Sequence, residues 1–310
     1  MPTHDYRAIR QWITEQIRAG QPTEALLRAM CDQGWRRDLA LSLIAGTMGG
    51  TGEAVADTPA ASEGDAAQAA VAGSAASPTE TAASVPPALQ PASEMPAPDL
   101  DDRPLYLDLG DRRVSVLSVH EDPQVILFGD FLAKHECERL IEAARLRLQR
   151  SMTADQRTGA DRIDPIRTSR GMFFLRGENP TVSAIEARIE RLLRWPVDRG
   201  EGMQVLHYRP GDRYEPHYDY FDPVASGAPA LLERGGQRRA TLLMYLQEPE
   251  RGGDTSFPQL GLRFAAKRGC ALFFSYDRPL PSSRTLHGGD PVLAGEKWVA
   301  TKWLRERAFV

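Results

Sequence analysis

Cysteine is scarce in this chain. Cys31, Cys137 and Cys270 are its three, widely separated and without a CxxC pair. That excludes a disulfide framework and a four-ligand Cys/His zinc site. Unpaired thiols suit a reducing compartment, so a cytoplasmic location is expected. Long apolar runs are lacking too: no uninterrupted stretch reaches the roughly 18 residues of a transmembrane helix. The opening MPTHDYRAIRQW carries charges where a secretory signal has its apolar core, so no leader is expected there. No GxGxxG follows a strand pattern, no GxxxxGK phosphate loop occurs, and Gly-X-Y repeats and sustained heptads are missing. Positive charge is in no excess. The net charge is -4, and residues 49–98 hold six acidic residues and no Lys or Arg, which leaves the remainder at +2. No field for nucleic acid results, and neither a nucleic-acid nor a membrane partner is expected.

What is present can fold. Hydrophobic residues make up 42 % of the 310 and charged residues 26 %, enough for a sizeable core in one large domain with attachments. Residues 1–48 read as a small helical accessory module. Ile9, Trp12, Ile13 and Ile17 recur at helical spacing, and Gly20 suits a stop. Pro22 and Thr23 open a second helix carrying Leu26, Leu27 and Met30, and Leu39, Leu43 and Ile44 suggest a third. Its use is either that of a cap or that of a docking module for substrate or partner. Residues 49–98, rich in Ala, Pro and Ser, cannot recover their ordering entropy by burial and read as a disordered acidic linker.

Residues 99–310 read as the main domain. Short β-rich runs precede a helix over 134–150 with Cys137, Leu140, Ile141 and Ala144 on one face. Residues 151–165 read as a mobile polar loop. A second amphipathic helix spans 180–195 with proline at its start. After residue 200 come short strands: MQVLHY, RYEPHYDYF, RRATLLMYL, GLRFAA, CALFFSY, RTLHGGDPVL and KWVATKWLR. Gly- and Pro-rich turns separate them, which argues for a mainly β sandwich or barrel with flanking helices.

The chemistry is concentrated in that stretch. In His217-Tyr218-Asp219 the outer two residues, two apart on a strand, point to one face. A polar pair aimed into a core needs a reason. His287, in TLHGGDPV, is the natural third partner. Two histidines and one carboxylate form the facial set of non-haem Fe(II) oxygenases, with three coordination positions left open.

The segments RTSRGMF (167–173), QVLHYRPGDRYEPHYDYF (204–221), RRATLLMYL (238–246), GGDTSFP (252–258), GCALFFSY (269–276) and LHGGDPVLAGEKWVATKWLR (286–305) together resemble the prolyl 4-hydroxylase branch of the Fe(II)- and 2-oxoglutarate-dependent dioxygenases. The resemblance runs from about residue 122 to 308. It implies a double-stranded β-helix, or jelly roll, holding Fe(II) on His217, Asp219 and His287. It also implies 2-oxoglutarate and O2 as co-substrates, with ascorbate as a possible reductant. The far carboxylate of 2-oxoglutarate falls to Lys297, with Tyr208 beside it and Thr241 as a weaker member of that pocket. Strand alternation agrees: Lys297, Val299, Thr301 and Trp303 share one face.

Tyr214 and Trp303 match positions that face the primary substrate, and ordinary core packing is the equal alternative. Arg238 or Arg239 could orient a substrate carbonyl or carboxylate, depending on a register that the sequence does not fix; Arg238 is carried as the candidate. Arg167 shares the uncertainty. Asp254 stands where the family often has glutamate. Cys270 reads as a buried hydrophobe, and His207 and Asp222 as supporting groups. The expected activity is hydroxylation of a prolyl residue in a peptide or protein, with succinate and CO2 as co-products. A free amino acid or small metabolite is the alternative substrate, and a catalytically silent binding protein the alternative class.

Overall fold

The computed structural model describes residues 7–32, 40, 41, 44, 47, 95–150, 152–154, 161–163, 167–223 and 225–310. The expected linker at 49–98 lies outside them apart from its last four residues. By internal contacts the chain divides into two compact units, Tyr6–Pro91 and Ala92–Val310, the latter together with Met1–Asp5.

In the smaller unit, α1 (Arg7–Arg18) ends at Gly20, whose φ of +82° is the left-handed conformation that glycine adopts without strain. Then α2 (Thr23–Asp32) buries Leu26, Leu27 and Met30. Trp12, Ile13, Ala40 and Ile44 are buried as well.

In the larger unit, β1 (Tyr106–Asp108), β2 (Arg113–Glu121) and β3 (Gln124–Gly129) lead into α3 (Lys134–Arg145). Glu136 reaches back to the Ala133 N–H (2.7 Å), and Cys137, Leu140, Ile141 and Ala144 form the buried face. Next come β4 (Gln149–Arg150), β5 (Met152–Ala154), β6 (Asp161–Ile163) and β7 (Arg170–Phe174). The expected mobile loop thus contains a β5–β6 hairpin; its three-residue strands are too short for their polar pattern to announce them. Helix α4 (Pro180–Leu193) starts on Asn179, whose side chain accepts the Val182 N–H at 3.0 Å. Arg188 clamps it, bonding Glu136 (2.8 Å), Asp111 (2.7 Å) and the Phe131 carbonyl (2.7 Å).

The remaining elements are β8 (Met203–Tyr208), β9 (Tyr214–His217), α5 (Ala228–Glu233), β10 (Arg238–Gln247), β11 (Arg251–Gly252), β12 (Thr255–Phe257), β13 (Leu262–Phe264), β14 (Ala271–Ser275), β15 (His287–Gly289), β16 (Val292–Ala294) and β17 (Lys297–Arg305). One nine-stranded antiparallel sheet runs β1-β2-β3-β14-β10-β17-β8-β7-β4, and a four-stranded sheet runs β13-β12-β15-β9. The central strands β8, β10, β14 and β17 of the large sheet are buried on both faces. Its outer face packs with α3 and α4 through Met172, Phe174, Met203, Val205, Trp298 and Ala300. Its inner face packs against the small sheet through Leu206, Tyr208, Tyr245, Phe257, Phe274 and Val299. This is a double-stranded β-helix with flanking helices. No helix among the described residues is long and apolar enough to cross a membrane.

Candidate metal centre and its pocket

His217 closes β9 and His287 opens β15, and these two strands pair with His217 directly opposite His287. Asp219 lies beyond the end of β9, in a bend. The alternation argument from sequence therefore fails for Asp219; the turn after His217, not the pleat, brings its carboxylate back. Convergence is nonetheless close. Asp219 Oδ1 stands 3.5 Å from His217 Nε2, and Asp219 Oδ2 stands 3.6 Å from His287 Nε2. The three candidate ligand atoms lie within 4.8 Å of one another. These separations suit a first-row divalent ion with bonds of about 2 Å.

The donor chemistry fits as well. His217 Nδ1 meets the Glu215 carbonyl at 2.9 Å, and His287 Nδ1 meets the Thr285 carbonyl at 3.0 Å. A carbonyl only accepts, so each Nδ1 carries the proton and each Nε2 faces the carboxylate. Burial, then the neighbouring His217, push His287 down to about 4, which leaves it a neutral ligand at physiological pH. Burial alone would raise the Asp219 carboxyl, but His287, His217 and Arg238 together hold it well below the usual range. Thr241 Oγ1 donates to Asp219 Oδ2 at 2.6 Å and also contacts Tyr276 Oη at 3.1 Å, so one carboxylate oxygen is steered from behind.

A partly open recess adjoins this cluster. Lys297, Val299, Thr301 and Trp303 all line it, as do Tyr208, Tyr214, Arg167 and Thr241. Lys297 is 3 % exposed and sits opposite Tyr208 in the β17–β8 register. Its Nζ donates to the Gly253 carbonyl at 2.6 Å and lies 5.5 and 5.9 Å from the ring centres of Tyr208 and Tyr245. Gly253, at φ +73°, makes this possible: a Cβ there would stand 3.2 Å from Lys297 Cδ. Burial pushes the ammonium down to about 8, with Asp254 and Asp290 pulling partly the other way. A buried cation among aromatic walls is suited to receive a carboxylate.

A pH dependence follows. Lys297 is charged below about 8 and loses its proton above it. The apparent Kd for 2-oxoglutarate should therefore be flat below that point and rise toward about tenfold per pH unit above it. Calorimetry on Mn(II)-loaded protein between pH 6.5 and 9.5 reads this directly. A flat profile would dissociate Lys297 from the carboxylate. Lys297→Arg, whose guanidinium does not titrate in this range, should remove the slope.

The substrate-side candidates separate. Tyr214 stacks on His217, with ring centres 3.7 Å apart, and the Arg167 guanidinium lies 5.0 Å from the Tyr214 ring centre. Arg167 also donates to Gln204 Oε1 at 2.7 Å. Trp303 is 8 % exposed and its indole N–H is buried without a partner among the described residues. Arg238 turns behind Trp303 rather than into the recess. Its guanidinium lies 4.0 Å from the Trp303 ring centre, bonds Glu201 at 2.6 and 2.9 Å, and reaches the Asp219 carbonyl at 3.3 Å. Arg239 points away to Glu306. A register irregularity between Arg238 and Ala240 explains why periodicity alone did not separate the two arginines. His207 faces the helix side, stacked on Trp298 at 4.2 Å. Sequence reasoning missed Glu201, Gln204, Tyr245 and Tyr276. Each joins the site through cross-strand register or a distant pairing, for which no local signal exists.

A family model described as the 2OG-Fe(II) oxygenase superfamily matches residues 203–305. Probable prolyl 4-hydroxylase 3 of Arabidopsis thaliana is 39 % identical over 216 residues, covering 63 % of this chain and 73 % of that protein. Prolyl 4-hydroxylase 1 of the same plant is 42 % identical over 203 residues, covering 60 % and 70 %. The structure of a viral collagen prolyl hydroxylase from Paramecium Bursaria Chlorella virus-1, in complex with 2OG, aligns with 31 % identity and a TM-score of 0.46, over 58 % of this chain and 95 % of that one. With a largely buried His-Asp-His cluster in a double-stranded β-helix, this chain belongs to the Fe(II)- and 2-oxoglutarate-dependent dioxygenases, close to their prolyl 4-hydroxylase branch.

Proposed function

We propose that this Fe(II)- and 2-oxoglutarate-dependent hydroxylase acts on prolyl residues within a peptide or protein. Its relatives carry the name prolyl 4-hydroxylase, and the pocket supports the reading. The observation that carries it is Trp303. An aromatic face beside the metal centre suits a pyrrolidine ring. A buried indole N–H without an acceptor is costly unless a ligand supplies one, and a substrate main-chain carbonyl would do so. A free amino acid would instead call for a cation to hold its α-carboxylate. Arg238, one candidate for that task, is already engaged by Glu201 and the Asp219 carbonyl, and Arg167, which lines the recess, is bonded to Gln204.

In this reading His217, Asp219 and His287 would hold Fe(II), which with O2 and 2-oxoglutarate supplies the oxidising power for C–H hydroxylation, yielding succinate and CO2. Lys297 and Tyr208 hold the far carboxylate of 2-oxoglutarate. Thr241 fixes the Asp219 carboxylate by its hydroxyl. Tyr214 and Trp303 form the walls that place the substrate ring, and the apolar lining excludes water. Residues 99–310 carry all of this chemistry, leaving 1–48 an accessory role.

The test is aerobic incubation with Fe(II), ascorbate and 2-oxoglutarate against proline-rich peptides, cell lysate and free amino acids. The expected result is a one-oxygen mass gain on a prolyl residue, with substrate-dependent succinate release. Oxygenation of a free amino acid with prolyl peptides untouched would overturn the peptide assignment.

A further inference from the structure

The carboxylate of the metal cluster sits where the sheet has run out. Strands β9 and β15 pair as far as His217 and His287, and Asp219 follows in a bend beyond that ladder. Two neighbouring residues at the head of β10 take over. The Arg238 guanidinium donates to the Asp219 carbonyl at 3.3 Å. Gln237, the residue before β10, holds both main-chain groups of Phe221. Its Nε2 donates to the Phe221 carbonyl at 2.8 Å, and its Oε1 accepts the Phe221 N–H at 2.8 Å. A hydrogen-bonded pair in an antiparallel ladder makes the same exchange; here a side-chain carboxamide stands in for the second strand.

The holder is itself fixed. Gln237 is 7 % exposed, and its Oε1 also accepts the Arg238 N–H at 3.0 Å. Two N–H groups facing one end of the carboxamide decide which end is oxygen. The Gln237 main chain is pinned by Glu306, just past β17: its N–H donates to Glu306 Oε2 at 3.0 Å, and its carbonyl accepts the Glu306 N–H at 2.8 Å. Arg239 holds the other Glu306 oxygen at 2.6 Å. Gly236, at φ +73°, permits this approach, since a Cβ there would stand 2.6 Å from Glu306 Oε2.

We propose that Gln237 is a positioning residue of the metal centre: its carboxamide fixes the Phe221 main chain, and thereby the point from which Asp219 reaches the two imidazoles. The lever is short, since Phe221 stands two residues after Asp219. The tolerance is narrow. Asp219 presents one oxygen to each imidazole, at 3.5 and 3.6 Å, and ligand bonds hold to within about 0.2 Å of their ideal length. The residue type follows from the task. A carboxamide carries an acceptor and a donor side by side, an ionised carboxylate lacks the donor, and a thioether is at most a weak acceptor. The inference rests on the metal assignment and is independent of the prolyl reading.

The experiment uses the full chain with two variants. Gln237→Met is close in shape and removes both bonds to Phe221. Gln237→Glu keeps an accepting oxygen for the Phe221 N–H and, when ionised, has no donor for the carbonyl. Hydrogen exchange on metal-free protein reads the Phe221 amide directly. It should exchange about tenfold faster or more in Gln237→Met and keep its protection in Gln237→Glu. Titration with Co(II) should show affinity lower by about tenfold in Gln237→Met and about threefold in Gln237→Glu, as for a group that orients a ligand. The visible ligand-field bands of the bound Co(II) should shift in both. Asn179→Ala, which removes the bond capping α4, is the control for general destabilisation; it should leave Phe221 exchange and the Co(II) spectrum as in wild type. Wild-type Co(II) affinity and spectrum in both variants would overturn the proposal. So would unaltered exchange at Phe221 in Gln237→Met, or an equal loss of affinity in Asn179→Ala. Should Gln237→Met fail to fold, Gln237→Glu carries the test, and wild-type Co(II) affinity and spectrum there would overturn the assignment.

Discussion

Asp219→Ala is expected to give a folded protein whose iron affinity has fallen by roughly 100-fold or more and whose turnover is lost. Removing a group that merely orients a ligand costs about 10–100-fold in affinity, and Asp219 is itself one of the three converging groups. The fold should survive for local reasons. Thr241 loses an acceptor but keeps its contact with Tyr276, and Arg238 bonds the main-chain carbonyl of residue 219 rather than its side chain. The two imidazoles keep their Nδ1 bonds to main-chain carbonyls. Metal titration with Co(II) or Mn(II), together with thermal unfolding, separates the two effects. Wild-type affinity in the variant would remove Asp219 from the ligand set.

Lys297→Ala should spare metal binding and raise the 2-oxoglutarate requirement. Loss of a buried charge-assisted contact costs about 2–5 kcal/mol, or roughly 30-fold to several thousand-fold. The same substitution should stabilise the ligand-free protein. Folding lowers this ammonium from 10.5 to about 8. A base with a depressed folded pKa destabilises the fold wherever it is protonated, so the penalty is fully present below about 8 and fades as pH rises through 8 toward 10.5. At pH 7 the variant's melting temperature should therefore gain relative to wild type, less any loss from the cavity left behind, and the gain should shrink above pH 8. Added 2-oxoglutarate should stabilise wild type far more than the variant. A dissociation constant unchanged by Lys297→Ala would end this assignment.

Legibility in the sequence followed range. The end of α1 and the start of α4 were readable because Gly20 and Pro180 act within one turn of where they stand. The inward row of β17 was readable because alternation needs nothing but the strand itself. His217 and Asp219 were paired correctly for a partly mistaken reason, since β9 ends at His217 and a bend completes the approach. Arg238 could not be told from Arg239 because an irregularity in β10 interrupts the count. Glu201 was invisible: its partners Arg238 and Arg305 are 37 and 104 residues away, and no local pattern marks a buried carboxylate shared by two arginines.

Strand β17 is built with two commitments. One edge of its pleat supplies Lys297, Val299, Thr301 and Trp303 to the recess, and the other supplies Trp298, Ala300 and Leu304 to the core beneath the helices. Because strand side chains alternate with a period of two, shifting this segment by one position exchanges the two sets. A single substitution along β17 alters one position of one set. Gain or loss of an odd number of residues in the turn around Gly295 and Glu296 would drive the ammonium toward the helices and Trp298 toward the reactive centre at once.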